Sequence, residues 1–238
     1  MELEQNIRLV KERIRAAALR AGRDPGEITL CAATKVQSDD TIRAAIAAGV
    51  AVCGENRVQE LCAHLETDAY AGAKQVHFIG HLQTNKVNRV VGRVELIHSV
   101  DSLRLLEAID KQAARLGIVQ DILLQVNIGG EESKGGVDPE GLEELARQAL
   151  AMDHVRLRGL MAIPPVAHEP GGNTPYFVKM GQLFVDTKSK IAHNKDEVNC
   201  LSMGMSGDYE DAIAHGATLV RVGTALFGPR PAPKADVV

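Results

Sequence analysis

Hydrophobic residues recur at steps of three and four near the start of the chain, and charged residues fill the positions between them. This spacing places the apolar side chains on one face of a helix. The residues that carry the pattern are Leu3, Ile7, Val10, Ile14 and Ala17. Gly22 and Pro25 follow, and both residue types end helices. The pattern predicts an amphipathic helix that precedes the rest of the fold.

The remaining chain contains eight short apolar runs rich in β-branched and small residues. They span residues 28–35, 50–53, 76–79, 94–100, 122–128, 157–163, 198–203 and 219–227. Segments with a helical pattern lie between them, at about 41–48, 56–67, 83–92, 102–116, 139–152, 175–191 and 207–215. Asp138 and Pro139 form a clear helix start, because Asp caps a helix and Pro suits its first position.

Strands that alternate with helices and lack a hairpin signal are typical of a parallel sheet. We therefore predict an α/β fold, a single (β/α)8 barrel of TIM type with the N-terminal helix as an addition. An open doubly wound sheet is the alternative that the pattern leaves. Residues 1–230 are assigned to one barrel domain, and residues 231–238 to a C-terminal tail.

The composition indicates which residue types fill the core of such a fold and which classes of partner are excluded. Of the 238 residues 45% are hydrophobic but only 3% are aromatic, so Ala, Val, Ile and Leu must fill the core. The formal net charge is -4 and charges of both signs are interleaved, which gives no basic patch for a nucleic acid. No signal-peptide pattern begins the chain, and no run approaches the ~18 apolar residues of a membrane span. We expect a cytoplasmic protein without nucleic-acid or membrane partners.

Four cysteines occur, and none stands in a C-x-x-C pair or beside a histidine at metal-ligand spacing. They are Cys31, Cys53, Cys62 and Cys200. Isolated cysteines in apolar surroundings are typical of buried free thiols, so no metal site is expected.

A lysine closes the first apolar run. Active sites of α/β barrels lie on the loops after the strands, and phosphate commonly binds after strands seven and eight. Lys35 follows Ala32-Ala33-Thr34 and would project into the opening of the barrel at the C-terminal ends of the strands. Partial desolvation there favours the neutral amine, which attacks aldehydes to form a Schiff base. A solvated lysine whose stem covers apolar surface is the alternative.

Small hydroxyl residues and a glycine follow the predicted seventh and eighth strands. Ser202 and Ser206 stand where the seventh strand passes into a helix, and Gly223 and Thr224 lie in the eighth run. Hydroxyl and backbone N–H groups at a helix N-terminus bind anions, with support from the helix dipole. These four residues predict one phosphate site. Serines that only cap the helix, and a glycine that only packs, are the alternative.

An arginine lies two residues before Gly223 and thus on the same side of an extended strand. Arg221 in a barrel mouth needs a partner, because an unpaired buried charge is costly. A pyridine nitrogen is one such partner, since it accepts a hydrogen bond from a guanidinium group. A pyridine that stays unprotonated is a poor electron sink. This pairing therefore favours a protein that carries the pyridine compound, or that catalyses mild proton transfer, over one that catalyses carbanion chemistry.

Polar residues crowd the loops after the second and third runs. Asn56 is placed to touch a ring or its hydroxyl group, and His77, His81 and Lys86 are candidate ligands for a carboxylate. Helix capping and loop hydrogen bonds explain Asn56 equally well. For the two histidines a structural role is the preferred interpretation.

Six ordered motifs closely resemble the pyridoxal phosphate homeostasis protein family, also called the proline synthase co-transcribed family, over nearly the whole chain. They are AATK ending at Lys35, GENRVQE from Gly54, HFIGHLQTNK from His77, ESKGG from Glu132, LSMGMS from Leu201 and VRVGTALFG from Val220. The resemblance implies the barrel of fold-type III enzymes such as alanine racemase, without their β-rich second domain.

The resemblance also implies a role for each site residue. Lys35 would carry pyridoxal 5′-phosphate as a Schiff base, Arg221 would face the ring nitrogen, and Asn56 would lie near the ring. The residues that would hold the phosphate are Ser202, Ser206, Gly223 and Thr224. The family is associated with vitamin B6 balance and with amino-acid and keto-acid metabolism, and it is not known for a robust catalytic activity.

Four positions deserve comparison with the family pattern. Gln37 stands where a second lysine is common, which puts in doubt any transfer role for that position. Arg57 replaces a common aromatic residue and Ala217 a common serine. Lys134 keeps its motif and is a candidate secondary aldehyde site.

Three classes of function compete for these features. The expected one is a monomeric carrier of pyridoxal phosphate, with apo-enzymes that depend on this cofactor as recipients. A racemase needs a second acid or base on the opposite face of the ligand, and Tyr70, Tyr176 and Tyr209 lie in no matching motif. A nucleotide enzyme is disfavoured because neither G-x-G-x-x-G nor a P-loop follows a strand.

Overall fold

Eight parallel strands close into a barrel in chain order, and β1 therefore pairs with both β2 and β8. The computed structural model describes residues 2–131, 135–167, 169–193 and 195–229. The strands are β1 (Thr29–Ala33), β2 (Val52–Glu55), β3 (Gln75–Phe78), β4 (Leu96–Val100), β5 (Gln120–Val126), β6 (Val155–Ala162), β7 (Cys200–Ser202) and β8 (Leu219–Val222). The predicted (β/α)8 barrel is confirmed, and the pairing of the first strand with the last excludes an open sheet.

Helices connect the strands and cover the outside of the barrel. They are α1 (Glu2–Arg20), α2 (Asp39–Ala47), α3 (Val58–Glu66), α4 (Leu103–Leu116), α5 (Leu142–Ala151), α6 (Thr174–Asp186), α7 (Tyr209–Ala214) and α8 (Thr224–Phe227). Short 3-10 helices span Pro25–Glu27, Thr84–Arg89 and Pro139–Gly141, and one π-helical turn spans Thr187–Ile191. The predicted N-terminal helix is α1, which buries Ile7, Val10 and Ile14 against the barrel helices.

Two predicted elements change character in the structure. The segment predicted as a helix at 83–92 is a 3-10 helix, in which residues three apart eclipse one another, and Val87 and Val90 are buried at this spacing. The apolar run at 219–227 is a strand only as far as Val222, and its remainder forms α8. A short apolar run does not by itself distinguish a strand from a buried helix.

The core between strands and helices is built from aliphatic residues, as the composition predicts. Inside the barrel, two smaller apolar clusters fill the space: Cys31, Val52, Ile79 and Leu219 form one, and Leu96, Leu123 and Met161 form the other. Buried polar side chains lie beside them, including those of His77, His98, Ser202 and Arg221. The barrel interior therefore holds the positive charge of Arg221 next to uncharged polar side chains.

Two sequence predictions fall outside the described residues. They concern Lys134 and the tail at 231–238. All four cysteines are free thiols, although Cys200 is only partly buried. Across the described ranges, no helix is long and apolar enough to span a bilayer.

The loop after β3 passes directly over the end of β2. Ile79 donates its backbone N–H to the Glu55 carbonyl at 2.8 Å. A Cβ atom at Gly80 would lie 2.0 Å from the Asn56 carbonyl oxygen, so a glycine is required at this crossing. The contact holds the backbone of Asn56 at the C-terminal end of the barrel.

We expect Gly80→Ala to lower the free energy of unfolding by about 2 kcal/mol or more, since overpacking against backbone costs about 1–3 kcal/mol. Gly207→Ala is the matched control, because a Cβ atom there meets nothing within 4 Å. Urea unfolding of the unloaded protein measures both changes. Equal stability of the two variants would contradict the close crossing.

Candidate functional site

A cavity of about 400 Å³ opens where the strands end, between β1, β2, β7 and β8. Small-molecule sites in proteins have volumes of about 300–1,000 Å³. Six of the seven predicted site residues line this cavity: Lys35, Asn56, Ser206, Arg221, Gly223 and Thr224. The barrel thus brings together side chains that lie nearly 190 positions apart in the sequence (Lys35 to Thr224).

Lys35 lies in a tight turn rather than at the end of a strand, because β1 ends at Ala33. The backbone N–H of Gln37 donates to the Thr34 carbonyl at 3.0 Å and closes the turn. Val36 adopts a left-handed φ of 59°, which is strained for a β-branched residue. Its N–H donates to Glu60 Oε2 at 3.1 Å, so α3 holds the turn in place.

The buried carboxyl group of Glu55 is hydrogen-bonded to the first residue of this turn, Thr34. Glu55 Oε1 accepts hydrogen bonds from Thr34 Oγ1 at 2.5 Å and from Tyr70 Oη at 3.0 Å. Its Oε2 atom is buried without a partner among the described residues. Burial raises the pKa of Glu55 above its ordinary value, although the two hydrogen bonds act in the opposite direction. Thr34 is thereby fixed next to Lys35.

Arg221 points into the barrel from β8 and lines the floor of the cavity. Nη1 donates to Ser202 Oγ at 2.5 Å, and Nη2 donates to the Ala162 carbonyl at 2.9 Å. Burial lowers the pKa of the guanidinium to about 10, so it stays charged at neutral pH. The protein therefore supplies two of the partners that a buried arginine requires.

Backbone N–H groups converge on Ser206 at the start of α8. Ser206 Oγ accepts from Gly223 N at 3.1 Å and from Ala225 N at 3.2 Å. Gly223 and Ala33 line this corner of the cavity, and Gly223 has no side chain to fill it. The two N–H groups donate to Ser206 Oγ, and an anion in this corner would compete for them and accept the hydroxyl hydrogen of Ser206.

The turn that carries Ser206 is fixed by an aspartate. Asp208 Oδ1 accepts from Met205 N at 2.7 Å, and Asp208 Oδ2 accepts from Asn173 Nδ2 at 2.7 Å. Residues 206–208 form this turn, and α7 begins at Tyr209 rather than at the predicted residue 207. The loop after β6 and the loop after β7 are thus joined beside the cavity.

Asn56 lines the cavity and carries one polar atom that makes no hydrogen bond to the described residues. Its Oδ1 is buried and has no hydrogen-bond partner within the described part of the chain. A buried polar atom without a partner is costly, and a bound ligand that donates or bridges would remove that cost.

Ser202 is the one predicted site residue that does not line the cavity. Its side chain is fully buried inside the barrel, where Oγ contacts Arg221 and lies 3.0 Å from His98 Nδ1. The structure therefore separates the two serines, with Ser206 at the cavity wall and Ser202 beneath Arg221.

The two candidate histidines, His77 and His81, and the candidate Lys86 do not line the cavity. His77 is buried inside the barrel and contacts Gln75 and His98, which agrees with a structural role. His81 is exposed, 4.0 Å from Asp101 Oδ2, and Lys86 lies in the 3-10 helix after β3.

His98, Glu55 and Tyr70 support the site residues and were not predicted from the sequence. His98 lies two residues after Leu96, so a polar residue on the inward face of an apolar strand was the available signal. The Glu55–Tyr70 contact had no comparable signal, because Tyr70 follows α3 in a turn.

Comparison with known proteins places the chain among relatives of nearly equal length. Residues 2–231 match the family profile described as "Alanine racemase, N-terminal domain". A pyridoxal phosphate homeostasis protein of Aquifex aeolicus is 44% identical over 230 residues, which are 95% of this chain and 97% of that protein. Its namesake in Pseudomonas aeruginosa is 39% identical over 228 residues, which are 96% of each chain.

Solved structures give the same result. A protein described as unknown from Bifidobacterium adolescentis superposes with a TM-score of 0.87 at 39% identity, covering 95% of this chain and 94% of that one. PipY of Synechococcus elongatus, solved with PLP bound, gives 0.79 at 35% identity and covers 92% and 100%. An alanine racemase from Clostridium difficile, at 0.72 and 15% identity, covers 96% of this chain and 58% of its own and shares the fold.

We expect Glu55→Gln to stabilise the protein more at about pH 8 than at about pH 4.5. Because the folded-state pKa of Glu55 lies above the unfolded value, the wild-type protein loses stability as pH rises from the unfolded pKa through the folded one. Glutamine carries no charge, and its amide oxygen still accepts from Thr34 and Tyr70. Urea unfolding at the two pH values measures the difference, and an equal change at both would contradict it.

Proposed function

We propose, from the premise that this chain belongs to the pyridoxal phosphate homeostasis protein family, that it holds pyridoxal 5′-phosphate in the cavity and serves the homeostasis of that cofactor. The observation that carries the proposal is the convergence of Lys35, Arg221 and the N–H groups near Ser206 on one cavity. An amine, a ring-facing cation and an anion site are the three contacts that a phosphorylated pyridine aldehyde needs.

Lys35 is assigned to the aldehyde end of the cofactor. When bound, the cofactor supplies an aldehyde that condenses with a lysine amine into a C=N linkage with loss of water. The turn at residues 34–37 supports the assignment, because Thr34 and Val36 are each anchored to a glutamate. A lysine on a fixed turn loses less conformational freedom on binding than one on a mobile loop.

The phosphate end is assigned to Ser206, Gly223 and Thr224. This corner offers backbone N–H groups and two hydroxyl groups beside each other. Ser202 is assigned a different role from the one the resemblance implies, since its hydroxyl lies under Arg221 and away from the cavity wall.

Arg221 is assigned to the ring nitrogen, with Asn56 beside the ring. A guanidinium stays protonated even when burial lowers its pKa to about 10, so it donates to the nitrogen and does not give up a proton. The ring is then held unprotonated, which disfavours chemistry that needs a strong electron sink.

A carrier rather than an enzyme is the function that this geometry supports best. In the described part of the chain no tyrosine lines the cavity, and Tyr70 and Tyr209 are buried elsewhere. A racemase would need such a second acid or base on the opposite face of its ligand. We propose that the protein acts in the cytoplasm as a monomer and passes the cofactor to apo-enzymes that require it.

The amine assignment predicts where a reduced adduct forms. Borohydride treatment of the protein loaded with pyridoxal phosphate should fix one adduct at Lys35, and Lys35→Ala should abolish both the adduct and the yellow colour. Lys179→Ala, on the exposed side of α6, should behave as wild type. Peptide mass mapping measures the position.

An adduct only at Lys134, or at several exposed lysines, would overturn the assignment. The loaded protein is also expected to leave L-alanine unchanged under chiral chromatography. Rapid racemisation would overturn the carrier function while leaving the binding site intact.

The phosphate assignment predicts that the two serines differ. Ser206→Ala should weaken binding of pyridoxal phosphate about ten-fold while leaving binding of unphosphorylated pyridoxal nearly unchanged, because a hydrogen bond to a charged group contributes about 1.5–3 kcal/mol. Ser202→Ala should change the affinity for both aldehydes by the same factor. Titration of absorbance measures the four affinities, and a phosphate-specific loss in Ser202→Ala would contradict the separation.

A further inference from the structure

A continuous chain of hydrogen bonds crosses the barrel interior beneath the cavity. Arg221 Nη1 lies 2.5 Å from Ser202 Oγ, which lies 3.0 Å from His98 Nδ1. His98 Nε2 lies 3.0 Å from His77 Nδ1, and His77 Nε2 lies 3.0 Å from Gln75 Oε1. Because β4 and β7 are not neighbours in the barrel, the contact between His98 and Ser202 passes through its centre.

Only one direction of hydrogen-bond donation gives every buried donor in this series of hydrogen bonds an acceptor at the observed atom positions. A guanidinium has no acceptor, so Arg221 donates to Ser202. The Ser202 hydroxyl hydrogen then points to His98 Nδ1, which must be unprotonated. His98 therefore carries its proton on Nε2 and donates it to His77 Nδ1.

The donors and acceptors at the far end of these hydrogen bonds are fixed in the same way. His77 accepts at Nδ1, so its proton lies on Nε2 and is donated to the amide oxygen of Gln75. Chains of aligned donors polarise one another, and each bond strengthens the next. In the reverse direction Ser202 would accept from both sides, and its own buried hydrogen would have no acceptor among the described residues.

Both histidines are held neutral by their surroundings. Burial lowers the pKa of His77 to about 4, while nearby Asp121 acts in the opposite direction. Burial, His77 and the charge of Arg221 together hold the pKa of His98 well below its ordinary value. The chain therefore carries a single positive charge, at the end that faces the cavity.

We infer that His98, supported by His77, is a positioning residue that holds the Ser202 hydroxyl as an acceptor for Arg221 and so fixes the guanidinium toward the ring of the bound cofactor. This inference rests on the proposed function. It gives a role to His77 and His98, neither of which lines the cavity.

The role of His98 follows from the chemistry of a serine hydroxyl. Ser202 has one hydrogen, and a guanidinium cannot accept it. If His98 Nδ1 did not accept that hydrogen, Ser202 would have to turn its oxygen away from Arg221 to find another acceptor. The guanidinium would then keep only the Ala162 carbonyl as a partner in the described structure.

The hydrogen bond at the opposite end of this series, between His77 and Gln75, can be replaced by a hydrogen bond to water. Gln75 and His77 line a second cavity, of about 560 Å³, at the N-terminal end of the barrel. Gln75 is exposed there, and water can accept a bond from His77 in its place. Gln75→Ala is therefore a control that shortens the chain without disturbing Ser202.

Two conservative variants of His98 separate the proposed role from simple packing. Asparagine places an amide oxygen near the Nδ1 position and keeps an acceptor for Ser202, whereas glutamine places its amide group near Nε2 and keeps the contact with His77. Both lose the ring and should lower the thermal stability of the unloaded protein by a similar amount.

The loaded protein should distinguish these variants. His98→Gln is expected to bind pyridoxal phosphate about ten-fold more weakly and to shift its visible absorption band, because one hydrogen bond to a charged group is lost. His98→Asn and Gln75→Ala should stay within about two-fold of wild type, with the band unshifted. Equal behaviour of His98→Asn and His98→Gln would overturn the inference.

The direction of the chain is testable without the cofactor. Nitrogen-15 spectra of the histidine rings in the unloaded protein at neutral pH should show both His77 and His98 as neutral rings protonated on Nε2. Protonation of either ring on Nδ1, or a charged ring, would overturn the inference. Failure here with a normal adduct at Lys35 leaves the proposed function standing, whereas a missing adduct removes that function and the inference with it.

Discussion

A guanidinium group inside an apolar barrel is the constraint on which the rest of the site depends. Removing a charge from water is costly unless hydrogen bonds replace the lost hydration. Arg221 donates them to Ser202 Oγ and to the Ala162 carbonyl, which lie on the two strands that precede its own around the barrel. The strand order of the closed barrel is therefore what makes an inward arginine tolerable, and the arginine in turn gives the cavity its fixed polarity.

The remaining cavity contacts are arranged around that charge with few degrees of freedom. Glu55 and Glu60 hold the turn of Lys35 from β2 and α3, and Asp208 holds the turn of Ser206. Glu55 and Glu60 lie on elements other than the turn that carries Lys35, and Asp208 joins its own turn to Asn173 in the loop after β6. Strands, loops and helices from both halves of the chain must therefore be in place before the amine, the cation and the N–H groups face one cavity.

Much of this arrangement could be predicted from the sequence because it follows from strand ends. Eight apolar runs fixed the number of strands, and residues that follow parallel strands meet at one end of a barrel. Lys35, Arg221 and Gly223 needed no more than that. Ser202 and His98 could not be placed in the same way, because their contact joins β4 to β7 across the barrel and depends on register and strand tilt. The split of residues 219–227 between β8 and α8 was hidden for another reason, since one apolar run served both elements.

A crystal structure of the protein grown with pyridoxal phosphate would show directly what Lys35 and Arg221 contact. We expect continuous density from Lys35 Nζ into the cofactor, with the ring nitrogen within hydrogen-bonding distance of the Arg221 guanidinium and the phosphate beside Ser206 and Gly223. A ring nitrogen turned toward solvent or toward a carboxyl group, with Arg221 still bound only to Ser202 and Ala162, would contradict it.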